Sequence, residues 1–494
     1  MRLLRCASRG ELNWGSTICA LLLLCATAVI ASPAQTLTTL HSFDNTDGAV
    51  PERLVQATSG KLYGTAGEGG ASGDGTIFTI TTSDKLKTLL SLDGTDGANP
   101  YGLPLVQATN GDFYGTLQAG GAYPALCGGY GCGTVFKITA SGKITTLYNF
   151  CSQDNCTDGA DPLTGLVQAT NGDFYGTTNS GGANCVADGG CGTIFKITAS
   201  GTLATVYSFC SQSNCTDGAY PTSGPIQGSD GNFYGTANTG GAYGYGTVYQ
   251  LTQSGTLTTL LSFDNTNGNG PRNLIQASNG NLYGSTHYGG TSTACTNGCG
   301  VVFSMTLNGT QLDVYSFDNT DGFNPSTPVQ ATDENFYGTT HGGAYGEGTI
   351  YELTAGGTLT TLYNFCAKTG CPDGATPAGL MQDTNGNFYG TTYAGGTSDA
   401  CSGGCGTIYS FSVGLGPFVE TQTTSGKVGA AVKILGTNLT GATSVTFNGT
   451  EAVFKVVSSS EISAKVPKGA TSGEVQVVTP GGTLDSNQEF QVIP

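Results

Sequence analysis

Four short apolar runs, separated by Gly-rich turns, recur along most of the 494-residue chain. In the clearest copy they occupy residues 165–169, 174–178, 192–198 and 203–209, and they are rich in the β-branched and aromatic residues typical of strands. Asn171-Gly172, between the first two runs, is a strong hairpin signal. The pattern predicts four antiparallel strands, A to D, in about 50 residues, which is typical of one blade of a β-propeller.

The unit is repeated in tandem around a Tyr-Gly-Thr or Tyr-Gly-Ser core in strand B. The core occurs seven times, at Tyr63, Tyr114, Tyr175, Tyr234, Tyr283, Tyr337 and Tyr389. The last copy has no strand D, whereas residues 37–43 form a spare strand D before the first copy. Docking this strand on the last blade would close a ring and hide the faces of the terminal repeats. We therefore predict an all-β chain with a seven-bladed β-propeller at residues 36–413, four strands per blade and the N-terminal strand closing the last blade. A linear β-solenoid is the alternative.

Strand alternation separates the loops between two faces of the propeller. The A–B and C–D turns are short and share one face, which we call the plain face. The B–C and D–A loops are long, contain all the paired cysteines and share the opposite face, which we call the looped face. Because function on a rigid scaffold is usually carried by loops, the looped face is the predicted ligand face.

The composition changes after Pro417, where the Tyr-Gly-Thr motifs stop, Cys disappears and Lys becomes more frequent. Short alternating strands follow, with a turn at Asn448-Gly449. This pattern predicts a small immunoglobulin-like β-sandwich at residues 427–494, joined to the propeller by a linker at 414–426.

The N-terminus carries the pattern of a secretory signal peptide. Basic residues precede the apolar run 18–31, and small residues at 32–34 offer a cleavage site. We predict a signal peptide at residues 1–34, and a secreted or cell-surface protein without a transmembrane segment once that peptide is removed. No later apolar run is long enough to span a bilayer.

Cysteine usage agrees with export. Three of the 17 cysteines lie in the signal region, at Cys6, Cys19 and Cys25. The other 14 form close pairs, which we predict as disulfides in an exported chain: Cys127 with Cys132, Cys151 with Cys156, Cys185 with Cys191, Cys210 with Cys215, Cys295 with Cys299, Cys366 with Cys371, and Cys401 with Cys405. Zinc binding is the alternative, but the pairs lack zinc-knuckle spacing and neighbouring His.

Charge narrows the choice of partners. Only 10% of residues are charged and the net charge is −17. An acidic, charge-poor surface repels phosphate backbones, so nucleic acid is excluded as a partner. The composition suits a glycan or another extracellular protein, and we expect a monomer.

An acidic residue recurs in the D–A loops. Asp47 and its counterparts are each followed by Gly, so the residue fits a turn in which the carboxylate accepts backbone N–H bonds. Repetition in nearly every blade favours this structural role. A calcium site is the alternative, since Ca²⁺ prefers oxygen ligands, and its candidate ligands are Asp44, Asp47, Asp318 and Asp321. No other cofactor is expected.

One position varies inside the otherwise constant repeat. Two residues after the Tyr-Gly-Thr core the chain places Gly67, Gln118, Asn179, Asn238, His287, His341 and Tyr393. A fold constraint would repeat one residue, whereas a mixed polar ring suits a ligand pocket. The ligand-binding candidates are therefore Gln118, Asn179, Asn238, His287, His341 and Tyr393. His287 and His341 could also act as a general base or metal pair, and ordinary lining of a wet channel is the alternative.

Aromatic residues fall into two groups. The Phe and Tyr of strand B recur in every copy, so we expect them to pack between blades. Tyrosines in the loops lie outside the repeat and are candidates for stacking on sugars: Tyr123, Tyr130, Tyr220, Tyr243, Tyr245, Tyr288 and Tyr345.

The repeated segments Asp-Gly-Ala-x-Pro, Asn-Gly-Asn/Asp-Phe/Leu-Tyr-Gly-Thr, Gly-Gly-Ala and Gly-Thr-Ile/Val-Phe/Tyr resemble the GloVer-type tandem repeat of exported bacterial proteins, over nearly all of residues 37–413. The C-terminal segments 434–439 and 479–483 are similar to an IPT/TIG domain, which implies a spacer or interaction module. More loosely, the Asn-Gly-Asn-Phe-Tyr turn looks like turns in NHL, gluconolactonase-like and streptogramin-lyase-like propellers. The GloVer resemblance supplies no catalytic residues.

Three functions are consistent with these features. The favoured hypothesis is a non-catalytic binding or interaction scaffold that uses the disulfide-stapled looped face, for glycans or exported proteins. The first alternative is a lyase- or lactonase-type propeller enzyme acting at the central channel, with His287 and His341 as candidate catalytic residues. The second is a purely structural envelope component.

Overall fold

The computed structural model describes residues 35–102, 105–123, 125–185 and 189–493. The predicted signal peptide, with Cys6, Cys19 and Cys25, lies outside these residues. The described chain is all-β, with a few short 3-10 turns in its loops and no α-helix. No helix in the described part of the chain is long and apolar enough to cross a bilayer.

Thirty strands precede the C-terminal domain. They are β1 (Thr36–Ser42), β2 (Ala49–Pro51), β3 (Val55–Gln56), β4 (Leu62–Glu68), β5 (Thr76–Thr81), β6 (Lys85–Ser91), β7 (Val106–Gln107), β8 (Phe113–Leu117), β9 (Thr134–Ile138), β10 (Ile144–Asn149), β11 (Val167–Gln168), β12 (Phe174–Thr178), β13 (Thr193–Ile197), β14 (Leu203–Ser208), β15 (Ile226–Gln227), β16 (Phe233–Ala237), β17 (Thr247–Leu251), β18 (Leu257–Ser262), β19 (Asn269–Gln276), β20 (Leu282–Tyr288), β21 (Val301–Met305), β22 (Gln311–Ser316), β23 (Phe323–Pro325), β24 (Val329–Gln330), β25 (Phe336–Gly342), β26 (Thr349–Leu353), β27 (Leu359–Asn364), β28 (Ala375–Gln382), β29 (Phe388–Ala394) and β30 (Thr407–Ser412).

These strands form seven antiparallel sheets, each with the predicted order A-B-C-D. The third blade, for example, is β11-β12-β13-β14, and strand A is divided into two short strands in the first and sixth blades. The N-terminal β1 pairs with β30, so the last sheet has the order β28-β29-β30-β1. The predicted exchange of the N-terminal strand into the last blade is therefore present.

Hydrogen bonds between consecutive blades close the ring. In each strand A, the side-chain oxygen of a Gln accepts a backbone N–H from the A–B turn of the preceding blade. The links are Thr58 to Gln107, Thr109 to Gln168, Thr170 to Gln227, Ser229 to Gln276, Ser278 to Gln330, Thr332 to Gln382 and Thr384 to Gln56. The last link joins the seventh blade to the first, as does the bond from Thr391 Oγ1 to the carbonyl of Glu52 (3.1 Å).

The Tyr-Gly-Thr core explains how neighbouring blades pack. Tyr175 lies against Phe233 of the next blade with ring centroids 4.1 Å apart, and the same pairing recurs around the ring. Gly176 leaves room for strand C, because a Cβ there would lie 2.6 Å from Cζ of Phe195. Packing between blades is thus confirmed as the role of the strand B aromatics.

All seven predicted disulfides are formed. They join Cys127 to Cys132, Cys151 to Cys156, Cys185 to Cys191, Cys210 to Cys215, Cys295 to Cys299, Cys366 to Cys371, and Cys401 to Cys405. Each bond joins residues only four to six positions apart and so fixes a loop of the looped face. The disulfides lie in both kinds of long loop. Cys366–Cys371 lies in a D–A loop, and Cys401–Cys405 lies in a B–C loop, where Cys405 is fully buried.

The zinc alternative does not fit these sulfurs. Two groups of four sulfurs lie within 4.8 Å of one another, but each group consists of two disulfides. Disulfide sulfurs are not the thiolates that zinc requires.

The C-terminal domain is a β-sandwich with a core of its own around Ile434, Phe447 and Val477. Its strands are β31 (Val419–Thr421), β32 (Ser425–Lys427), β33 (Ala431–Gly436), β34 (Ser444–Phe447), β35 (Thr450–Glu451), β36 (Phe454–Val456), β37 (Glu461–Lys465), β38 (Val475–Thr479), β39 (Gly482–Asp485) and β40 (Gln491–Ile493). Because β31 pairs with β33, the sandwich begins inside the segment 414–426 that was predicted to be a linker. Two apolar residues there, Phe418 and Val419, are buried, which explains the earlier start.

The sandwich packs on the plain face of the propeller. Gln422 Nε2 donates to the carbonyls of Gln107 (3.1 Å) and Ala108 (3.0 Å). Ser460 Oγ donates to the carbonyl of Thr58 at 2.8 Å. The N–H of Phe418 donates to the carbonyl of Thr384 at 3.0 Å. These acceptors lie in the A–B turns of three consecutive blades, so the sandwich lies across the plain-face end of the central channel.

Candidate functional site

The variable residues that follow the Tyr-Gly-Thr core lie where strand B reaches the looped face. Six of the seven are half-buried, and the seventh, Gly67, is buried. Gly67 lies under the ring of Tyr101, since a Cβ there would be 2.2 Å from that ring. The structure thus places these residues at equivalent positions around the channel mouth.

A second variable ring lies beside the first. The residue before the Pro of Asp-Gly-Ala-x-Pro has a positive φ in every blade, and the residues are Val50, Asn99, Asp161, Tyr220, Gly270, Asn324 and Thr376. Their N–H groups donate to the preceding blade, as from Asn324 to the carbonyl of Cys299 at 2.8 Å. The following Pro packs on a Gly of that blade, because a Cβ on Gly300 would lie 2.6 Å from Cδ of Pro325. The blade junction therefore holds residue x in this unusual conformation, which is rare for side chains other than Gly, Asn and Asp.

Side chains from both rings meet between blades five and seven. Arg272 Nη2 donates to Oδ1 of Asn324 (2.7 Å) and lies 3.3 Å from Nδ1 of His287. Asn324 Nδ2 lies 3.2 Å from Nδ1 of His341. Both contacts bring a donor to the imidazole, so Nδ1 accepts in each histidine and the ring proton belongs on Nε2.

Burial and cationic neighbours keep the two histidines neutral. Desolvation, followed by the charge of Arg272, lowers the pKa of His287 to about 4. The same two causes, in the same order, lower the pKa of His341 to about 3. At neutral pH these rings are hydrogen-bonding groups without charge.

Blade one supplies the other side of the cluster. Tyr393 donates its hydroxyl to Oε2 of Glu52 at 3.3 Å, and its ring lies edge-on to His341 with centroids 5.9 Å apart. Glu52 is only 2% exposed. Burial raises the pKa of the Glu52 carboxyl to about 7, against the opposing effects of the Gly102 backbone, Tyr393 and Arg53. Glu52 therefore titrates close to neutral pH.

Arg53 completes the arrangement. Its Nε donates to the carbonyl of Ala378 at 3.3 Å, and its guanidinium lies over Gly379, where a Cβ would be 2.9 Å from Nε. We call the whole set the mouth cluster, which consists of Glu52, Arg53, Arg272, His287, Asn324, His341 and Tyr393.

A cavity of about 440 Å³ extends from Arg53 to the sandwich domain. Strands A of five blades form its wall, and Glu420, Thr421 and Gln422 belong to its floor. Burial, with a smaller effect of Asp383, raises the pKa of Glu420 to about 7. The sandwich thus closes one end of the channel with an acidic group that is readily neutralised.

The mouth cluster includes three of the six predicted ligand-binding residues, His287, His341 and Tyr393. The other three, Gln118, Asn179 and Asn238, lie in blades two to four, outside the cluster. Asn238 borders it, because a Cβ on Gly270 would lie 3.0 Å from Asn238 Oδ1 and 3.5 Å from Cβ of His287. Gln118 interacts with the carboxyl of Asp161, whose pKa is raised by burial. The ring of candidates is therefore uneven, with its ionisable members on one side.

The acidic residues proposed for calcium lie at the outer end of strand D. Asp44 Oδ1 accepts the N–H of Thr46 (2.9 Å), and Asp47 Oδ2 contacts Nε2 of His41 (2.7 Å). Asp318 and Asp321 make the corresponding turn contacts with Thr320 and Tyr315. These bonds fit the predicted turn role, and calcium binding stays a prediction.

Sequence reasoning did not single out Glu52, Arg53, Arg272 or Asn324. Two signals were present. Arg53 and Arg272 are the only arginines after residue 34, and Asn324 occupies the variable x of a constant motif. The sequence does not show the geometry of strand A that brings these side chains to the histidines and Tyr393.

Exposed tyrosines lie on the loops of the looped face. Tyr288 is 42% exposed and stacks on His287 with ring centroids 4.3 Å apart, so it joins the mouth cluster to the surface. The other predicted loop tyrosines are also exposed, apart from the half-buried Tyr220: Tyr123, Tyr130, Tyr243, Tyr245 and Tyr345.

Several solved structures are similar in fold. A putative gluconolactonase is 12% identical, with 67% of this chain and 93% of that chain covered and a TM-score of 0.36. A putative oxidoreductase (glucose dehydrogenase) from Thermus thermophilus is 13% identical, with 77% and 100% covered and a TM-score of 0.40. PorZ, a surface component of the type-IX secretion system of Porphyromonas gingivalis, is 13% identical, with 88% and 58% covered and a TM-score of 0.45.

No curated protein matches the chain. The Gloeobacter/Verrucomicrobia repeat matches residues 27–226, 128–296, 187–398 and 288–447, and the IPT/TIG domain matches residues 417–492. The chain therefore belongs to the Gloeobacter/Verrucomicrobia repeat family and carries a C-terminal IPT/TIG domain.

Proposed function

We propose that this chain is an exported binding protein that holds a glycan at the channel mouth on the looped face. The observation that carries the proposal is the mouth cluster, in which donors and acceptors from blades five, six, seven and one converge beside exposed tyrosines. Sugars are bound by such combinations of directional polar groups and flat aromatic faces.

The surroundings of the cluster suit binding by a preformed surface. Short disulfide loops fix the looped face, which limits the entropy lost when a ligand is bound. Both histidines already use Nδ1 as an acceptor, so they present Nε2–H groups to the channel rather than lone pairs for a metal.

Thermal-shift and calorimetric titration against a panel of plant and bacterial polysaccharide fragments would test the proposal. We expect at least one fragment to bind wild type, and His287→Ala and His341→Ala each to weaken that binding about tenfold, as the loss of a buried hydrogen bond would. His41→Ala is the matched control, because His41 lies on the outer strand β1. Equal effects of all three substitutions would contradict a site at the channel mouth.

A lyase- or lactonase-type enzyme is the second candidate, and one observation favours it. Glu52 has a pKa of about 7 and accepts a hydrogen bond from Tyr393, which is a suitable pairing of general base and acid. Glu52→Gln should then abolish turnover of a bound glycan while leaving its affinity within a few-fold. If bound fragments stay intact in wild type over long incubation, the binding role stands alone.

A further inference from the structure

We propose that the ligand carries a carboxylate, as an acidic sugar does, and that this group is held between Arg53 and Arg272. The inference rests on the proposed function and narrows its ligand from glycans in general to uronic acids.

The distribution of cations is the first support. Arg53 and Arg272 are the only arginines beyond residue 34 of a chain whose net charge is −17, and both belong to the mouth cluster. Among the described residues that line the cavity beginning at Arg53, none is a lysine. Arg presents a planar fork of donors that matches a carboxylate, which Lys does not.

The missing counter-charge is the second support. Among the described residues the one ion pair is His41–Asp47, so no carboxylate oxygen of theirs lies within 4.0 Å of either guanidinium. Within the same part of the chain, Arg272 Nε is buried without a hydrogen-bond partner, and Arg53 donates a single hydrogen bond, to a carbonyl. Buried charges in proteins are normally paired, since an unpaired one is costly. A bound anion would supply the pairing that the protein omits.

The backbone of blade seven holds the guanidinium of Arg53 in place. Gly379 has a φ of +138° and carries no Cβ, which lets the guanidinium lie flat on the backbone of blade seven. A chain of contacts leads from Arg272 through Asn324, His341 and Tyr393 to Glu52, the residue next to Arg53. In agreement with this arrangement, the charge of Arg53 adds to the effect of burial in lowering the pKa of Arg272. An anion between the two guanidiniums would offset both charges.

The charge of the mouth cluster favours an anionic ligand. Two guanidinium charges are offset only in part by Glu52, whose pKa is about 7. A carboxylate presents two oxygens in one plane, which match the planar donor fork of arginine. Around it, His287, Asn324, His341 and Tyr393 offer hydrogen-bonding groups for the hydroxyls of a sugar.

Titration with glucuronate, galacturonate and mannuronate, each paired with its methyl ester, would test the inference. We expect at least one acid to bind wild type about 10- to 100-fold more tightly than its ester, which is the range for charge-assisted hydrogen bonds. Arg53→Gln and Arg272→Gln should reduce the acid to the level of its ester. Arg53→Lys keeps the charge and should fall between. Lys87→Gln, at an exposed position on the outer strand β6, removes one cation elsewhere and should change nothing.

Each other outcome is decisive. Equal affinity for acid and ester overturns the inference but leaves the glycan-binding proposal in place. Acid binding that survives both arginine substitutions places the anion elsewhere and also overturns it. Binding of neither member of any pair overturns the inference, and the panel of polysaccharide fragments then decides the glycan-binding proposal by itself. A melting temperature for each variant separates lost binding from lost folding, and Arg53→Lys serves where a glutamine variant does not fold.

Discussion

At the scale of single residues, the mouth cluster is built from positions at which the repeats differ from one another. Arg272 follows the Pro of its motif, where blade four has Thr222, and Asn324 precedes the Pro of its motif, where blade seven has Thr376. The invariant Tyr and Gly of strand B, and the Thr or Ser that follows them, serve packing and hydrogen bonds between blades. Residues that the fold does not require are thus free to build an asymmetric site inside a pseudo-symmetric ring.

Glu52 should make stability depend on pH. Its pKa is raised from 4.5 to about 7, so folding becomes less favourable as pH rises through this window, in which the unfolded chain ionises and the folded one does not. Glu52→Gln should therefore be more stable than wild type at pH 8, by up to about 3 kcal/mol, and equal to it at pH 4. Urea unfolding at the two pH values measures the difference.

The exposed Glu451→Gln substitution in the sandwich is the matched control and should behave like wild type at both pH values. A Glu52→Gln variant that is less stable than wild type at pH 8 would show that Arg53 stabilises the ionised carboxylate more than burial penalises it, which contradicts a raised pKa for Glu52.

At the scale of the element, the Tyr-Gly-Thr hairpin is the part that every blade shares. In the third blade its Tyr packs on the next blade, its Thr donates to the carbonyl of Ser223 just before that blade's strand A, and its Gly leaves room for the aromatic ring of strand C. Three different interactions thus depend on three successive residues, which explains why this segment recurs with so little change. It frames the site but contributes no group to it.

Gly176→Ala should destabilise the propeller. The added Cβ would lie 2.6 Å from Phe195 Cζ and 2.8 Å from Leu166 Cδ2, inside a fully packed core. Overpacking of this kind costs about 1–3 kcal/mol. Gly356→Ala, in the C–D turn of blade six, meets only Thr354 Oγ1 at 3.8 Å and should be nearly neutral. Equal melting temperatures for the two variants would contradict the tight fit described for strand C.

At the scale of the whole molecule, two closures define the central channel. The N-terminal strand closes the ring sideways through β30 and through Phe43, which is fully buried and meets Phe78 of blade one. The sandwich domain closes the channel from below through the A–B turns. The IPT/TIG domain therefore closes the cavity that begins at Arg53, and Glu420 forms part of its floor.

Phe43→Ala tests whether the ring is closed in solution. Phe209 is equally buried and makes the equivalent contact with Tyr249 inside the continuous chain, so Phe209→Ala is the matched control. If the N-terminal strand is as firmly docked as any other strand D, both substitutions should cost about 3–5 kcal/mol in chemical unfolding. A much smaller loss for Phe43→Ala would mean that the first strand frays from the last blade.

The sequence by itself determined the repeated strands, their number, the displaced first strand and the disulfide pairs, because each depends on local periodicity or on short spacings along the chain. It also indicated His287, His341 and Tyr393, since the variable position after strand B can be aligned between copies. The tertiary structure decided which of these meet, with Arg53 and Arg272 drawn from strands A that are more than 200 residues apart along the chain. It also decided that the sandwich forms the floor of the channel. Such contacts depend on the angle between blades and on the docking of a second domain, and neither leaves a periodic trace in the sequence.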